Sequence, residues 1–328
     1  MQPPLDALPQ EQFGGLVEAY RRELKVHCYR LMGSLQDAED MVQETFLRAW
    51  RSRESLREPA HLRAWLYKIA THACLDALRK RTRRAVPITH QDASDLSQPI
   101  PPSVMEPIWL EPFPDEWLLF DEDQADSAFT TRENIALAFI AALHLLPPRQ
   151  RAILILRDVL DWRADEVADF LGVTVSAVKS ALHRARGALA SAPPALSHPP
   201  DSQQFTRLQD YIRAWEAADV EGLTRLLKDD ATFSMPPIPS WYQGRETIAA
   251  LVERTIFSGE AAGRWRLLPT HANGQPAFAL YRAAETAVHQ AYGIQVLTLH
   301  EDRIADIITF RSPALVAAFK MPMTLPSV

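Results

Sequence analysis

LDWRADEVADFLGVTVSAVKSALHRARGAL, residues Leu160 to Leu189, predicts a helix, a tight turn and a second helix. Val167, Ala168 and Leu171 recur at helical spacing, and Gly172 follows as a helix-ending residue. Thr174 is placed to cap the second helix, whose inward face is Val175, Val178, Ala181, Leu182, Ala185 and Leu189. Its outward face carries Ser176, Lys179, Ser180, His183, Arg184 and Arg186, and no acid falls between Val173 and Ser191. A helix with one basic, hydroxyl-bearing face suits the DNA major groove, where a helix-turn-helix lays its second helix. The competing reading is a plain helical hairpin with a solvated basic face.

Outward from this segment, charge is sorted along the chain. Arg48 to Arg84 holds 11 Lys and Arg against three acids, Glu54, Glu58 and Asp76. Ala85 to Asp126 holds ten acids, seven prolines and no Lys or Arg. The net charge of −6 over 328 residues conceals this segregation. A nucleic-acid-binding protein with an acidic tether between its modules fits the pattern; a single folded enzyme does not. The length calls for more than one core. No apolar run approaches a membrane span, and the N-terminus lacks the basic start and apolar core of a signal peptide, so a cytoplasmic protein away from membranes is expected. Cys28 and Cys74 sit among apolar helical positions. They read as buried free thiols of a reducing compartment, with no metal site and no cofactor.

Composition breaks predict the domains: a helical block over 1–90, an acidic proline-rich linker over 91–128, a second helical block over 129–193, a short linker over 194–204, and an α+β region over 205–328. In the last region, helix is expected for Phe205–Leu227 and Glu246–Phe257. Strands are expected for Ala231–Met235, Trp265–Pro269, Ala277–Arg282, Val288–His300 and Arg303–Phe310, with turns at Asn273-Gly274 and Glu301-Asp302.

In the first block, SLQDAEDMVQETFLRAWRS (34–52) places Asp37, Glu39, Asp40 and Glu44 beside Met41, Val42, Phe46, Leu47 and Trp50. HLRAWLYKIATHACLDALRKRTRR (61–84) joins the aromatics Trp65 and Tyr67 to Lys68 and a basic tail of Arg79, Lys80, Arg81, Arg83 and Arg84. Aromatic surface beside cations suits unstacked single-stranded DNA, whose bases stack while its phosphates are neutralised. Trp65 as ordinary core remains the other reading.

These motifs, in this order, resemble the extracytoplasmic-function sigma factors of bacterial RNA polymerase over roughly residues 13–84 and 129–191. DAEDMVQETFLRAW resembles the family's polymerase-binding helix, AWLYKIATHACLDALRKR its −10 reader, and LLPPRQRAILILRDVLDWRADEVADFLGVTVSAVKSALHRARGAL its −35 reader. The resemblance implies that Asp37, Asp40, Gln43, Glu44 and Phe46 contact core polymerase. It implies that residues from about Glu54 to Arg84 hold the opened −10 strand, with a flipped base in the loop before Leu62. It places Ser176, Lys179, Ser180, His183, Arg184 and Arg186 at the −35 element. Core polymerase and promoter DNA are then the partners, and no reaction is catalysed by this chain. A helix-turn-helix repressor, or an enzyme with a DNA-binding arm, are the alternatives from other classes.

WEAADVEGLTRLLKDDATFSMPP (215–237), WYQGRETI (241–248) and DRIADIITFRSP (302–313) resemble the SnoaL-like domain, a cone of helices over a curved antiparallel sheet. The expected architecture is therefore multidomain, two all-α sigma domains followed by this α+β cone. Trp215, Phe233, Met235, Trp241, Tyr242 and Phe310 are candidates to line the cone's pocket, a place for a small ligand. His271, His289 and Asp306 are the candidates for proton chemistry there. Some sigma factors with this domain carry a glycine-rich acidic loop; the corresponding Asn273-Gly274-Gln275-Pro276 lacks the acids. Finally, IWLEPFPDEW (108–117) sets two tryptophans and a phenylalanine in the acidic linker. It resembles the Trp-Leu-Pro-Glu-Pro type of element, and it is expected to dock on the C-terminal domain, which would regulate by contact.

Overall fold

The computed structural model describes residues 9–56, 58–79, 84–85, 92–104, 108–118, 137–189, 202–284 and 288–326. The chain forms two compact units. One gathers residues 1–84 with 117–194, and the other 85–116 with 195–328.

The helical unit begins with α1 (Gln10–Glu18), α2 (Arg21–Met32), α3 (Leu35–Arg51) and α4 (Leu62–Leu78). α2 ends at Gly33 in the left-handed conformation, φ 70°. The next residue, Ser34, caps α3 by accepting the Asp37 N–H at 3.2 Å. Leu24, Leu31, Val42, Leu66 and Ala70 meet in the core between these helices. Cys28 and Cys74 are buried in the same core, where burial first, then hydrogen bonding to Cys28, pushes the Cys74 thiol well up. The second block holds α5 (Leu137–Leu145), α6 (Pro148–Leu154, continued by a π-turn to Val159), α7 (Ala164–Leu171) and α8 (Val175–Leu189). Gly172 ends α7 at φ 62°, and Thr174 Oγ1 accepts the Ala177 N–H at 3.1 Å to start α8. Val178, Ala181, Leu182 and Ala185 are buried as their spacing requires. Val175, expected inward, is the first residue of α8 and is exposed instead. The Leu189 side chain lies outside the described residues.

Arg151, at the end of the Leu-Pro-Pro-Arg-Gln-Arg run, joins the two blocks. It is 1% exposed, and its guanidinium donates to the Leu143 carbonyl at 3.0 Å, to Leu146 at 3.3 Å, and to Leu31 near the end of α2. Carbonyls at helix C-termini lack intrahelical donors and favour a cation, so this buried charge is compensated by groups that need it. His72 of α4 also packs edge-on against Phe170 of α7, with centroids 4.5 Å apart.

The second unit is α+β. The expected helix 205–227 is two helices, α9 (Ser202–Ala217) and α10 (Val220–Leu226). Ala218 breaks it at φ 54°, and Asp219 caps the second helix through the Gly222 N–H at 2.8 Å. β1 (Leu227–Ser234), β2 (Trp241–Gln243), α11 (Arg245–Thr255), β3 (Trp265–Ala272), β4 (Gln275–Ala283), β5 (Val288–His300), β6 (Arg303–Phe310), α12 (Pro313–Ala318) and β7 (Thr324–Pro326) follow. The sheet order is β2-β1-β6-β5-β4-β3, with β7 added beside β5. All pairs are antiparallel except β1–β6, which run parallel. The sheet is therefore mixed, an outcome local pattern does not encode because β1 and β6 come from opposite ends of the domain. Gly293 permits the close approach of β5 to β6, since a Cβ there would lie 2.1 Å from the Phe310 carbonyl oxygen. Helices α9 to α11 pack on one face of the sheet, around Trp215, Leu223, Phe233, Ile248 and Ile307.

Candidate nucleic-acid and polymerase interface

α3 presents a solvent strip of Gln36, Asp40, Gln43 and Leu47, spaced by four, three and four residues. Asp40 accepts from Gln36 Nε2 at 2.9 Å, and Leu47 is 53% exposed. The other polymerase-contact candidates lie to either side. Asp37 is buried against the cap. Glu44 is half-buried and pairs with Arg48 at 2.7 Å, and Phe46 lies under the Arg21 guanidinium at 5.0 Å. Glu39 is occupied by Arg21 and Lys25, both at 2.7 Å, which hold its carboxyl below the usual range against the cost of burial. Of the acids read from the sequence, Asp40 is therefore the one fully presented to solvent. Leu47, counted there as core material, is surface.

On α4, Lys68 is exposed and Arg79 is exposed in a pair with Asp76 at 2.8 Å. Trp65 is half-buried and donates to Ser55 Oγ at 3.3 Å, tying the helix to the turn before it. Tyr67, the second aromatic, is removed from any stacking role. It is buried and donates to Glu23 at 3.1 Å, and burial pushes its hydroxyl up beyond the usual range. Position 67 falls on the inner face because α4 packs against α2 there. Lys80, Arg81 and Arg83 lie outside the described residues, as does the Arg84 side chain.

On α8, Ser176, Lys179, Ser180, His183 and Arg184 are all exposed on one side. Arg186 is exposed too, but both arms of its guanidinium bind Asp158, at 2.9 and 2.7 Å. It is thereby the least available cation of the set.

In the C-terminal unit the acidic linker is seated rather than free. Trp109, Leu110 and Phe113 are buried, Phe113 completely. Asn273 and Gly274 form the two-residue turn between β3 and β4, with φ 57° and 71°. That turn clasps the linker. The Asn273 N–H donates to the Phe113 carbonyl at 2.8 Å, Asn273 Oδ1 accepts the Phe113 N–H at 2.7 Å, and the Gly274 N–H donates to Asp115 at 2.8 Å. Ser94 donates to the Trp241 carbonyl at 2.7 Å, Val104 to Pro237 at 3.0 Å, and Lys320 binds Glu116 at 2.6 Å. Trp117 belongs to the helical unit, where Lys25 Nζ stands 3.2 Å from its ring centroid.

A cavity of about 210 Å³ lies between helices and sheet in this unit. Trp215 and Met235 line it. Phe233 and Tyr242 are packed into the core, and Trp241 belongs to the linker seat. Phe310 is turned away from the cavity, since its neighbours Thr309 and Arg311 line it and strand side chains alternate. The candidates for proton chemistry do not converge. His271 is exposed, and His289 is bonded through Nε2 to the Gly263 carbonyl at 2.9 Å. Asp306 sits in register with Thr232 and Thr298, on the face opposite the Phe233–Ile307–Leu297 core. Burial pushes the Asp306 carboxyl up to about 6.

Comparison with known proteins gives these surfaces a family. Sigma-70 region 2 matches residues 16–84, Sigma-70 region 4 matches 136–189, and the SnoaL-like domain matches 208–307. The ECF RNA polymerase sigma factor SigG of Mycobacterium tuberculosis is 42% identical over 320 residues, which is 95% of this chain and 85% of that one. The chain belongs to the extracytoplasmic-function sigma factors. Another relative, the sigma factor SigJ of M. tuberculosis, is 30% identical over 66% of this chain and 62% of its own length. The crystal structure of SigJ superposes with a TM-score of 0.60 at 23% identity, covering 94% of this chain and 99% of that one, and so shares its fold.

As a sigma factor the protein binds core RNA polymerase and directs it to promoters; it is not an enzyme. No helix among the described residues is long and apolar enough to cross a membrane. Two features of this sigma factor escaped the sequence reading. Leu47 looks like core because its polar neighbours hide its angular position. Asn273-Gly274 reads as a turn, and nothing local says that the turn will hold a segment from 160 residues upstream.

Proposed function

We propose that the sigma factor docks on core polymerase through the α3 strip centred on Asp40, Gln43 and Leu47, with Glu44 and Phe46 at its edge. Promoter contact divides between two surfaces. Lys68, Arg79 and the basic tail beyond it, with Trp65, face the −10 strand. Ser176, Lys179, Ser180, His183 and Arg184 face the −35 groove, with Arg186 released from Asp158 only when phosphate competes for it. The free chain holds the two readers together through Arg151 and the His72–Phe170 contact. The named elements lie about 25 base pairs apart, so at ~3.4 Å per pair the readers must separate to engage both. This action places the protein in the cytoplasm with polymerase.

The C-terminal unit regulates that separation by holding the linker. The observation that carries this reading is the paired hydrogen bonding of buried Phe113 by Asn273. A segment clasped by backbone and side chain together leaves less chain free to span the readers. Run-off transcription with core polymerase tests it. Full-length protein, a chain ending after Ala192, and Phe113→Ala are compared on one promoter. The truncated chain and Phe113→Ala should both shift output several-fold, in the same direction. Identical output from all three would end the regulatory reading.

A further inference from the structure

The cavity of the C-terminal unit has apolar walls and an excess of donors. Trp215, Met235, Trp265 and Tyr292 supply the apolar part, while Arg264, Arg282 and Arg311 reach it from neighbouring strands and loops. The Arg282 guanidinium lies 5.9 Å from the Trp265 ring centroid, and that of Arg311 lies 5.4 Å from Tyr292. Among the described residues none of the three arginines has a carboxylate within ion-pair distance. Arg264 is held by the Glu260 backbone carbonyl at 2.8 Å.

Beside this cavity the Arg311 Nε–H is buried without a partner, while Trp215, 1% exposed, turns its indole toward Tyr211. A guanidinium N–H donates and cannot accept, and a buried donor left unpaired is costly. The wall's two hydroxyls are fixed in place: Thr309 Oγ1 accepts from Gln295 Nε2 at 2.8 Å, and Thr255 Oγ1 donates to the Leu251 carbonyl at 2.6 Å. Gln295 is itself held by Tyr211 at 2.6 Å, so this floor is fixed. The missing component is an acceptor, preferably anionic, carried on an apolar body that fits against indole and phenol rings.

The linker contributes to the same enclosure. Ile100 lies in the cavity wall, packed against the domain core. The linker is anchored on either side of it, by Arg254 donating to the Leu96 carbonyl at 2.9 Å and by Val104 donating to Pro237 at 3.0 Å.

We propose that this cavity binds an organic carboxylate with an apolar body, its head group held by Arg311 and Arg282, and that Ile100 makes the linker part of the site. Occupancy and linker docking are then linked, each strengthening the other by the same factor. This deepens the regulatory reading of the C-terminal unit, and its binding test involves no polymerase.

The test titrates full-length protein with octanoate and cinnamate, and with the neutral 1-octanol and cinnamyl alcohol, following tryptophan fluorescence and thermal stability. The acids should bind at least about tenfold more tightly than their alcohols. Arg311→Gln should abolish that preference, Arg311→Lys should keep part of it, and Ile100→Ala should weaken the acids several-fold. Arg282→Gln replaces Arg311→Gln if the latter loses its circular dichroism. Equal binding of acid and alcohol, an unchanged preference in the folded glutamine variant, or no saturation by either acid at millimolar concentration overturns the proposal. Transcription with and without octanoate separates the two readings. Acid binding that leaves transcription untouched supports the site and removes only the ligand's part in regulation, whereas a truncation effect without acid binding removes the site and keeps the regulatory reading.

Discussion

The helical unit and the C-terminal unit keep their working residues in opposite places. In the first, the residues assigned to polymerase and promoter lie on the faces of α3, α4 and α8, and the interior packs the helices and joins the two readers through Arg151. In the second, the distinctive features among the described residues are a clasped linker and a half-open cavity. A surface face is specified by the period of one helix. A clasp or cavity is specified by residues from many elements, such as Phe113 with Asn273, or Ile100 with Trp215 and Arg311. The two units should therefore respond differently to substitution: single changes on the first should alter binding without altering stability, and single changes in the second should alter both.

The largest effect that would sharpen this contrast is at Phe113. Removing a fully buried aromatic side chain costs about 3–5 kcal/mol. Phe113→Ala should therefore lower the melting temperature of the C-terminal unit strongly and expose the linker to proteolysis. A wild-type melting curve for this variant would break the comparison, because the linker would then be no part of the unit's core.

Next come the faces of α8. If Arg184 contacts a base, Arg184→Ala should cost about 1–3 kcal/mol at one promoter position; if it contacts phosphate, binding should weaken evenly and the salt slope should fall by about one. Ser180→Ala provides the second profile, and silence from both would remove this helix from the promoter. Arg186→Ala should have the smaller effect, since its ion pair with Asp158 must first be broken. Asp158→Ala should enlarge the contribution of Arg186. Melting curves of all these variants should stay near wild type, as exposed pairs contribute about 0–1 kcal/mol.

The α3 strip is tested by Asp40→Lys combined with Glu44→Lys. Core affinity should fall about tenfold, or ~1.4 kcal/mol, with the fold retained. Wild-type pull-down of core polymerase by the double variant would remove the strip from the interface.

The remaining effects concern pH and have opposite signs in the two units. His27 is buried beside Arg30, Tyr67 and Thr71, and burial first, then Arg30, lowers its pKa to about 3. The unfolded chain takes up this proton between about pH 6.5 and 3, so the helical unit loses stability as pH falls through that window. Asp306 is shifted the other way, to about 6. Its contribution is complete below the unfolded value near 3.8 and is lost as pH rises through about 6. Asp306→Asn, which keeps an acceptor for the Thr232 hydroxyl, should stabilise the C-terminal unit at pH 7.5 and leave it unchanged near pH 4. Equal melting shifts at both pH values would show that Asp306 does not titrate in this way.

The legibility of each unit follows from the same difference. The turn at Gly172, the cap at Thr174 and the buried row Val178, Ala181, Leu182 and Ala185 were readable because each depends on residues within four positions. Asp37 and Leu47 were harder. Both lie on an amphipathic helix whose pattern is correct, but their exposure depends on where α2 and the cap at Ser34 sit. Tyr67 shows the same limit, since helical spacing alone does not say which side of α4 meets α2. In the cone, Trp215 and Met235 reach the cavity while Phe310 does not, because alternation along β6 fixes its face only once the sheet's orientation is known.

The sequence by itself determined the family, the two helical blocks, the strand-rich cone and the faces of individual helices. Period, capping and charge segregation are local and survive without coordinates. Only the tertiary structure decided what covers what. It brought Arg151 to the carbonyl of Leu31, ran β1 parallel to β6, seated Phe113 on the Asn273-Gly274 turn and brought Trp215 and Arg311 to the wall of one cavity. Those outcomes join residues that are from about 75 to 160 positions apart, and a pairing at that range depends on how whole elements pack rather than on the pattern of any one of them.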